Sequence, residues 1–297
     1  MNQTIHIPVM LKEVLDYLDP KPGDCLVDGT MGTGGHALEI LKRIGSKGCL
    51  IGIDRDLDSL TIAQERLKEF SGSCHFVHQD FRQIDNILQD FGIENVNGML
   101  FDLGISSYQL SNPVRGFSLQ ADGPLDMRMD QNSYISAYDL VNSLSEKEIA
   151  LILKAFGQER WSYRIAHYLV AQRARSPIAS TQELTNSVLK AIPHAQRHQR
   201  IHPATRTFQA FRIAVNRELE ALEIALDKCF VYLKKGARLC VISFHSLEDR
   251  IVKEKFRTLS RAHQAKLITK KPLRATEEEI SENPRSRSAR LRVIERI

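Results

Sequence analysis

The sequence predicts an α/β fold, in which helices cover a mostly parallel sheet of seven strands and a block of helices is inserted into the chain. Three observations lead to this prediction. Short apolar runs alternate with helical patterns as far as residue 102, as in parallel β-α-β units. Only helical patterns fill residues 145–191. Three further apolar runs, the first of which begins at Arg238, then complete the sheet.

The first part of the chain supplies four strands. Each is a short apolar run followed by polar or glycine residues, at 25–27, 49–53, 74–77 and 98–101. A helix is predicted before the series and one between each pair of strands, at 10–18, 36–44, 57–70 and 84–91. Connections of this kind between parallel strands are right-handed, so the helices are expected to cover the sheet.

The alternation stops after residue 102. Residues 103–132 are rich in Gly, Ser, Pro and Asp and show no clear period, and irregular stretches of this length are usually functional. Helices are predicted next at 145–156, 161–173 and 180–191. Two of them open with the capping-box pattern, Ser145-x-x-Glu148 and Ser180-x-x-Glu183. This block is interpreted as an insertion in the α/β domain.

The last part of the chain is predicted to return to the sheet. A single long helix is expected from Pro203, with an apolar stripe that runs from Phe208 to Leu233 and ends at Gly236. Strands at 238–244, 266–269 and 291–295 and a helix at 247–259 follow, and 270–290 is expected to be a mobile surface loop. The predicted domains are therefore 1–108 and 203–297 for the two parts of the α/β domain, and 109–202 for the inserted helical domain.

Composition bounds the class of protein. The chain has 297 residues, 42% of them hydrophobic and 26% charged, which suits a globular protein with a real core. It has no apolar run approaching the roughly 20 residues that cross a bilayer, and no secretory pattern at its start. We therefore expect a soluble cytoplasmic protein without a membrane partner. Five scattered cysteines without a C-x-x-C pair predict no metal site.

Positive charge is concentrated in one segment. Residues 151–217 contain eleven Lys or Arg against two acidic residues, a net charge of +9, whereas the whole chain carries +5. Such a concentration favours a polyanionic partner. A set of solvated basic helix faces would give the same composition, so both interpretations stay open here.

The stretch from Asp28 to His36 is typical of a nucleotide-cofactor site. An apolar strand runs into four glycines, and a helix then directs its amino end to the same place. The next strand ends at Asp54, 22 positions after Gly32. This separation allows an acidic side chain to meet a ribose diol beside the glycine turn.

Acidic residues at four successive strand ends distinguish between two cofactors. The residues are Asp28, Asp54, Asp80 and Asp102. A cluster of carboxylates suits the diol and cationic groups of S-adenosylmethionine better than the pyrophosphate of a dinucleotide. A methyl donor is therefore favoured, and an NAD-dependent oxidoreductase remains the alternative.

Each part of that cofactor has a candidate contact. Asp54 would bind the ribose diol, and Asp80 with Phe81 would border the adenine. The backbone of the turn would meet the amino-acid tail at Gly34, Gly35 and His36.

Eight motifs carry a resemblance to a known family. They lie in the same order as in that family and span almost the whole chain. The motifs are H-x-P-V-x-x-x-E (6–13), D-G-T-x-G-x-G-G-H (28–36), D-L-G-I-S-S-x-Q (102–109), R-G-F-S (115–118), P-L-D-M-R-M (124–129), H-P-A-T-R-T-F-Q-A (202–210), F-H-S-L-E-D-R (244–250) and N-P-R-S-R-S-A-x-L-R (283–292). Together they resemble the ribosomal RNA small subunit methyltransferase H family.

The resemblance implies a class I S-adenosylmethionine-dependent methyltransferase, Rossmann-like, with an inserted substrate-recognition domain. The implied reaction is methyl transfer to the exocyclic 4-amino nitrogen of a cytidine in the decoding region of 16S ribosomal RNA, in the small subunit or a precursor particle. Carried over by motif, the cofactor contacts are Gly34, Gly35, His36, Asp54, Phe81, Asp102 and Gln109. One pattern of other amino-methylating enzymes is missing, because Asp102-Leu103-Gly104-Ile105 stands in place of Asp/Asn-Pro-Pro-aromatic. The group that orients the amine is thus left open.

Chemistry adds candidates for catalysis and RNA binding. Asp102 is the candidate acceptor of a proton from the amine, with Ser106 and Ser107 behind it. The RNA-binding candidates are Arg115, Phe117, Arg206 and Arg212, of which Phe117 would stack on the extruded base. An RNA-binding module without catalysis, on the same fold, is the second alternative.

Overall fold

The computed structural model describes residues 8–197 and 201–297. His6 of the first motif and Arg200 of the basic segment lie outside the described residues. The chain divides into two compact units. Unit 1 consists of Met1–Gly104 and Leu219–Ile297, and unit 2 of Ile105–Glu218.

Unit 1 is built on the predicted seven-stranded sheet. Its strands are β1 (Cys25–Asp28), β2 (Cys49–Asp54), β3 (Cys74–His78), β4 (Val96–Asp102), β5 (Leu233–Ser243), β6 (Ala265–Leu267) and β7 (Arg290–Arg296). They lie in the order β3-β2-β1-β4-β5-β7-β6. The first five strands are parallel, and β7 runs antiparallel to both β5 and β6. The predicted mostly parallel α/β sheet is thus confirmed.

Thirteen α-helices are present in the described residues. They are α1 (Leu11–Leu18), α2 (Gly35–Ile44), α3 (Leu57–Arg66), α4 (Ile84–Asp90), α5 (Ser107–Ser111), α6 (Ala137–Ser143), α7 (Glu146–Gly157), α8 (Ser162–Arg173), α9 (Thr181–Ala191), α10 (Thr205–Asn216), α11 (Glu218–Cys229), α12 (Ser246–Arg261) and α13 (Glu277–Glu282). Within the described part of the chain, no helix is both long enough and apolar enough to cross a membrane.

Both faces of the central sheet are buried, which is why its strands read as continuous apolar runs. Successive residues of β1 show this, because Leu26 packs into one apolar cluster and Val27 into the other. Helices α1, α2 and α3 contribute to the cluster that contains Leu26. Helices α4, α11 and α12 contribute to the cluster that contains Val27. Because β1 to β5 are parallel, their carboxyl ends lie at the same edge of the sheet.

Unit 2 has a hydrophobic core of its own, to which α6, α7, α8, α9 and α10 contribute. The irregular segment before α6 is fastened to this core by a buried amide. Asn216 donates from Nδ2 to the carbonyl oxygen of Met127 and accepts at Oδ1 from the backbone N–H of Met129, both at 2.8 Å. Leu125, Met127 and Met129 are themselves buried. The irregular stretch is therefore a packed part of unit 2.

The prediction of a single long helix after Pro203 is wrong. Two helices, α10 and α11, meet at Arg217, whose φ of 49° lies in the left-handed region. The apolar stripe is continuous in sequence but serves two cores: Phe208 and Phe211 pack in unit 2, and Leu222 packs in unit 1. Unit 2 consequently extends to Glu218, beyond the boundary predicted after residue 202. Gly236 does not end a helix either, since it lies within β5.

The predicted mobile loop at 270–290 is also ordered. It contains α13 and a 3-10 helix at Pro284–Ser288. Leu273 pairs through its backbone with Leu291 of β7. Ser286 and Ala289 are buried. Backbone pairing and a Thr276 cap hold this segment in place. Because no apolar stripe is needed for this, the sequence of the segment contains few apolar residues.

Gly29 provides a test of packing at the end of β1. A Cβ atom at this position would lie 2.2 Å from Cε1 of Phe101, whose buried ring packs edge-on against Phe81. We expect Gly29→Ala to lower the free energy of unfolding by about 1–3 kcal/mol, because the overpacked ring must move. Urea denaturation measures this as a lower midpoint with an unchanged slope. Gly72→Ala is the control, since a Cβ there meets no atom within 4 Å, and equal midpoints for the two variants would contradict the packing argument.

Candidate functional site

The glycine turn between β1 and α2 adopts the conformation that the sequence predicts. Gly32 and Gly34 have φ angles of 51° and 78°, in the left-handed region that glycine adopts without strain. At Gly34 there is also little room, because a Cβ would lie 3.0 Å from Cδ1 of Leu67. Helix α2 begins at Gly35, so its first backbone N–H groups have no partner within the helix. These groups form an anion-binding end suited to a carboxylate.

Asp54, at the end of β2, is fastened to this turn. Its Oδ2 accepts a hydrogen bond of 2.7 Å from the backbone N–H of Gly32, and its Oδ1 accepts one of 2.9 Å from the N–H of Asp56. Burial raises the pKa of the carboxyl group, and these two N–H groups oppose that rise. Each carboxylate oxygen has a second lone pair and can still accept from a hydroxyl group. Asp54 thus lies against the glycine turn, where the spacing in the sequence predicts it, and its contact with a ribose diol stays a prediction.

Two further acids, Asp28 and Asp102, are buried at the ends of β1 and β4. Burial raises the pKa of Asp28 to about 7, and the nearby Asp54 adds to the rise. The pKa of Asp102 lies well above its usual range because of burial and the charges of Asp28 and Glu248. The carboxyl groups of Asp28, Asp54 and Asp102 are thus close enough to repel one another when charged, as the positions of these residues at strand ends predict.

Thr30 links the two buried acids. Its backbone N–H donates to Oδ1 of Asp28 at 3.1 Å, and its Oγ1 accepts from the backbone N–H of Asp102 at 2.6 Å. The backbone N–H of Asp102 is thus paired, but its buried side-chain Oδ1 has no hydrogen-bond partner among the described residues. Buried polar atoms without a partner are rare, which marks this oxygen as a candidate contact for a ligand.

The His36 side chain is buried beside Asp102. Its Nε2 lies 2.9 Å from the carbonyl oxygen of Val9, which can only accept, so Nε2 carries a proton. Nδ1 lies 3.7 Å from Oδ2 of Asp102. The ring therefore anchors the start of α2 to the segment before α1, a role beyond the backbone contact that the sequence predicts.

Phe81 and Asp80 follow β3 as predicted, but they differ in what they offer a ligand. Phe81 is mostly buried, with its ring 5.6 Å from that of Phe101. Asp80 forms ion pairs with Arg82 at 3.0 Å and Arg55 at 3.5 Å and caps the turn that follows. The charge of Asp80 is therefore balanced within the fold, whereas Phe81 carries no charge.

Gln109 lies in unit 2. It takes part in a capping box at the start of α5: its Oε1 accepts from the backbone N–H of Ser106, whose Oγ accepts from the N–H of Gln109. Its side chain is thus held in one orientation by its own helix.

The four RNA-binding candidates are all in unit 2, and each of them contacts other residues of that unit. Arg115 is buried and donates to the carbonyl oxygens of Arg128 and Met129, each at 2.9 Å. Phe117 is 6% exposed and belongs to the core, so in this structure it has no free face for a base.

The other two candidates differ in exposure. Arg212 forms a two-pronged ion pair with the buried Glu218, with both distances 2.9 Å. Arg206 is exposed, and its guanidinium lies 3.4 Å from the carbonyl oxygen of Gln158. Arg206 alone among the four candidates is thus exposed to solvent.

Sequence reasoning assigned no role to Thr30 or to Glu248. Glu248 is buried at the start of α12, accepts from the backbone N–H of Phe244 at 2.8 Å, and contributes to the raised pKa of Asp102. Both residues stand inside motifs, D-G-T-x-G and F-H-S-L-E-D-R, so the signal was present. Asp102, on which both residues act, is distant from each of them in sequence, and no spacing rule indicates either contact.

Comparison with known proteins decides the family. A family model described as the MraW methylase family matches residues 3–297. The chain belongs to this family. Every site residue described above therefore lies within the matched region.

Individual members of the MraW methylase family resemble the chain over its length. Ribosomal RNA small subunit methyltransferase H of Halothermothrix orenii is 48% identical, over 98% of each chain. The protein of the same name from Clostridioides difficile is 44% identical, over 98% of this chain and 99% of its own. A solved structure from Clostridium thermocellum that carries a provisional rRNA-methylase name is 13% identical, with a TM-score of 0.50 over 99% of this chain and 100% of its own. That last likeness shows the fold.

The buried Asp28 predicts a pH-dependent stability. A carboxyl group whose pKa rises from 3.8 to about 7 on folding binds its proton more tightly in the folded state. Its contribution to stability is therefore present at low pH and is lost as pH rises through 7. Asp28→Asn keeps the acceptor for Thr30 and removes the titration, so the variant's advantage over the wild type should be larger at pH 8 than at pH 5 by on the order of 2 kcal/mol.

Urea denaturation at the two pH values measures this difference. The matched control is Asp90→Asn, at an exposed position. A constant difference between Asp28→Asn and the wild type across this range would show that Asp28 does not titrate there.

Proposed function

We propose that the chain transfers a methyl group from S-adenosylmethionine to the exocyclic 4-amino nitrogen of a cytidine in the decoding region of 16S ribosomal RNA. Membership of the MraW methylase family and the name of its relatives support methylation of small-subunit ribosomal RNA. The observation that carries the proposal is the buried carboxylate edge: Asp54 is bound to the glycine turn, and Asp102 presents an acceptor oxygen without a partner in the described residues.

The residues present fit this cofactor. Asp54 would accept from the ribose hydroxyls, and the backbone at Gly34, Gly35 and His36 would hold the carboxylate of the amino-acid tail. Phe81 would border the adenine, and the resemblance adds Asp102 and Gln109. When bound, the cofactor supplies a methyl group activated by a positive sulfur.

The charges of the site favour this cofactor over a nicotinamide dinucleotide. Burial already raises the pKa values of Asp28, Asp54 and Asp102. A pyrophosphate would bring two more negative charges to the same edge of the sheet and increase the repulsion. A ligand with cationic groups reduces it.

Placement and proton removal are the tasks left to the protein. The lone pair of a cytosine amine is delocalised into the ring, so alignment with the methyl donor is the main source of rate. Oδ1 of Asp102 can accept a hydrogen bond from the amine and take the proton that the product nitrogen releases. Burial and the charge of Asp28 make this carboxylate a stronger base. They also cause it to be protonated at a higher pH than an exposed aspartate.

The substrate must reach the site as an unpaired base. Extruding a cytidine costs a few kcal/mol, and contacts with the phosphates and bases around it can offset that cost. We propose that the basic unit 2 provides these contacts, on the small subunit or a precursor particle in the cytoplasm.

Nucleoside mass spectrometry of ribosomal RNA tests the proposal. Ribosomal RNA from cells without this protein should lack one N4-methylated cytidine that the wild-type gene restores. Asp54→Ala should not restore it, because the loss of two charge-assisted acceptors weakens cofactor binding at least tenfold. Calorimetry with S-adenosylhomocysteine measures that loss on the purified variant. Asp90→Ala is the exposed control.

Three outcomes would contradict the proposal. An unchanged nucleoside profile without the protein would exclude the reaction. Heat of binding with NADH but none with S-adenosylhomocysteine would favour the oxidoreductase. Full restoration by Asp54→Ala would favour an RNA-binding module without catalysis.

Asp102→Asn tests the proton acceptor. We expect the single-turnover rate, at saturating cofactor, to fall at least about 100-fold, since an amide cannot accept the proton. The wild-type rate should rise with pH through the raised pKa of Asp102, and the variant should show no such rise. Asp28→Asn should move the wild-type profile to lower pH, because the charge of Asp28 raises this pKa. A wild-type pH profile in Asp102→Asn would exclude the role.

A further inference from the structure

One helix face of unit 2 is exposed, basic and aromatic at once. Helix α8 buries Ser162, Ile165, Ala166 and Leu169 against the core. Its opposite face carries Tyr163, 61% exposed, Tyr168, 36% exposed, and the exposed Arg164. Arg160, also exposed, lies in the turn that leads into the helix. We call these four residues, with Arg206, the α8 surface.

Two arginines of the α8 surface have no acidic partner. Helix α8 contains no Asp or Glu, and neither Arg160 nor Arg164 forms an ion pair with any described residue. Arg160 instead lies over the ring of Trp161, 5.4 Å from its centroid. Arg173 on the same helix differs, because its guanidinium donates to the carbonyl oxygens of Val141 and Leu144. Arg160 and Arg164 thus keep a positive charge that no carboxylate of the described residues neutralises.

Arg206 adds a third guanidinium at the amino end of α8. Its Nη1 lies 3.4 Å from the carbonyl oxygen of Gln158, two residues before Arg160 in the chain. The acidic residues near this helix have partners of their own. Glu159 is buried and accepts from the backbone N–H of Trp161. Glu146 lies 3.2 Å from His167, which for that reason is not counted in the α8 surface.

The two tyrosines lie at the two borders of the exposed face of α8, on either side of Arg164. Tyr163 and Tyr168 are five residues apart, which is about 7.5 Å along the helix axis and about 140° around it. Exposed rings of this size cost free energy in water unless they have a partner. Stacking of a tyrosine ring on a base contributes about 1–3 kcal/mol to binding, and every base has an aromatic face that can stack in this way.

We propose that the α8 surface binds a single-stranded segment of the RNA substrate. Arg160, Arg164 and Arg206 hold consecutive phosphates, and Tyr163 and Tyr168 stack on bases. The inference rests on the proposed function for the identity of the polymer. The observations favour RNA over a protein partner because two guanidinium groups without a carboxylate partner stand beside exposed aromatic rings, the pair of contacts that phosphates and bases need.

Binding of a labelled single-stranded 12-nucleotide RNA to the full-length protein, followed by fluorescence anisotropy over a range of salt, tests this inference. Arg160→Ala with Arg164→Ala should weaken binding about tenfold or more and reduce the salt slope by about 1.4, since two phosphate contacts are lost. Tyr163→Ala with Tyr168→Ala should weaken binding to a similar degree with an unchanged slope, because stacking releases no counterions. Tyr→Phe at both positions should retain wild-type affinity.

The matched control is Arg257→Ala with Arg261→Ala. These two arginines are exposed and four residues apart on α12 of unit 1, so they reproduce the change in charge and the spacing on a helix of the other unit. Their removal should leave RNA affinity near that of the wild type. Thermal unfolding and S-adenosylhomocysteine affinity should be unchanged in every variant, which separates lost binding from lost folding.

The outcomes separate this inference from the proposed function. If the wild type methylates RNA but the α8 variants bind and methylate it with unchanged Kd and KM, the α8 surface is not the RNA site and the proposed function stands. Equal losses in the α8 and α12 arginine variants would also overturn the inference, since nonspecific charge would then explain binding. If the wild type binds RNA through α8 but transfers no methyl group, the proposed function fails and the inference stands.

Discussion

Repulsion among buried carboxyl groups is the constraint on which the site of this protein depends. Asp28, Asp54 and Asp102 end neighbouring parallel strands, and the topology of the sheet requires them to lie at one edge. In a low-dielectric setting, such groups either bind protons or find donors. Backbone N–H groups from the glycine turn and Thr30 offset part of the cost. The remainder appears as the raised pKa values of the three carboxyl groups, which a ligand with hydroxyl or cationic groups would lower.

Much of the fold could be predicted because burial on both faces leaves a strong signal. The apolar runs of β1 to β4 are continuous, and their spacing fixed the parallel series. The break between α10 and α11 left no such signal, because Arg217 adopts a left-handed conformation without glycine and the apolar stripe continues past it. Only the two separate cores explain why the chain turns there. The ordered segment around α13 was missed for a related reason, since backbone pairing with β7 holds it and leaves little trace in composition.

The site was predictable to the extent that local spacing determines it. The distance in sequence from Gly32 to Asp54 was enough to place the carboxylate against the turn. Contacts between remote segments could not be predicted from spacing. They include the contact of His36 with Val9 and the effect of Glu248 on Asp102. Burial was the other limit. Arg115 and Phe117 stand in a glycine-rich segment that resembles a solvent loop, yet unit 2 packs both of them inside. Exposure on a helix face, as at Tyr163, can be recognised only after the opposite face is known.

The neighbouring strands β4 and β5 are joined through the whole of unit 2, and this has a thermodynamic consequence. If residues 105–218 were an unstructured tether, closing it to pair the two strands would cost about 4 kcal/mol of chain entropy. A folded unit 2 has already lost most of that freedom. Folding of unit 2 therefore lowers the entropy cost of pairing β4 with β5, and loosening the core of unit 2 should raise that cost, although unit 2 contributes no strand to the sheet.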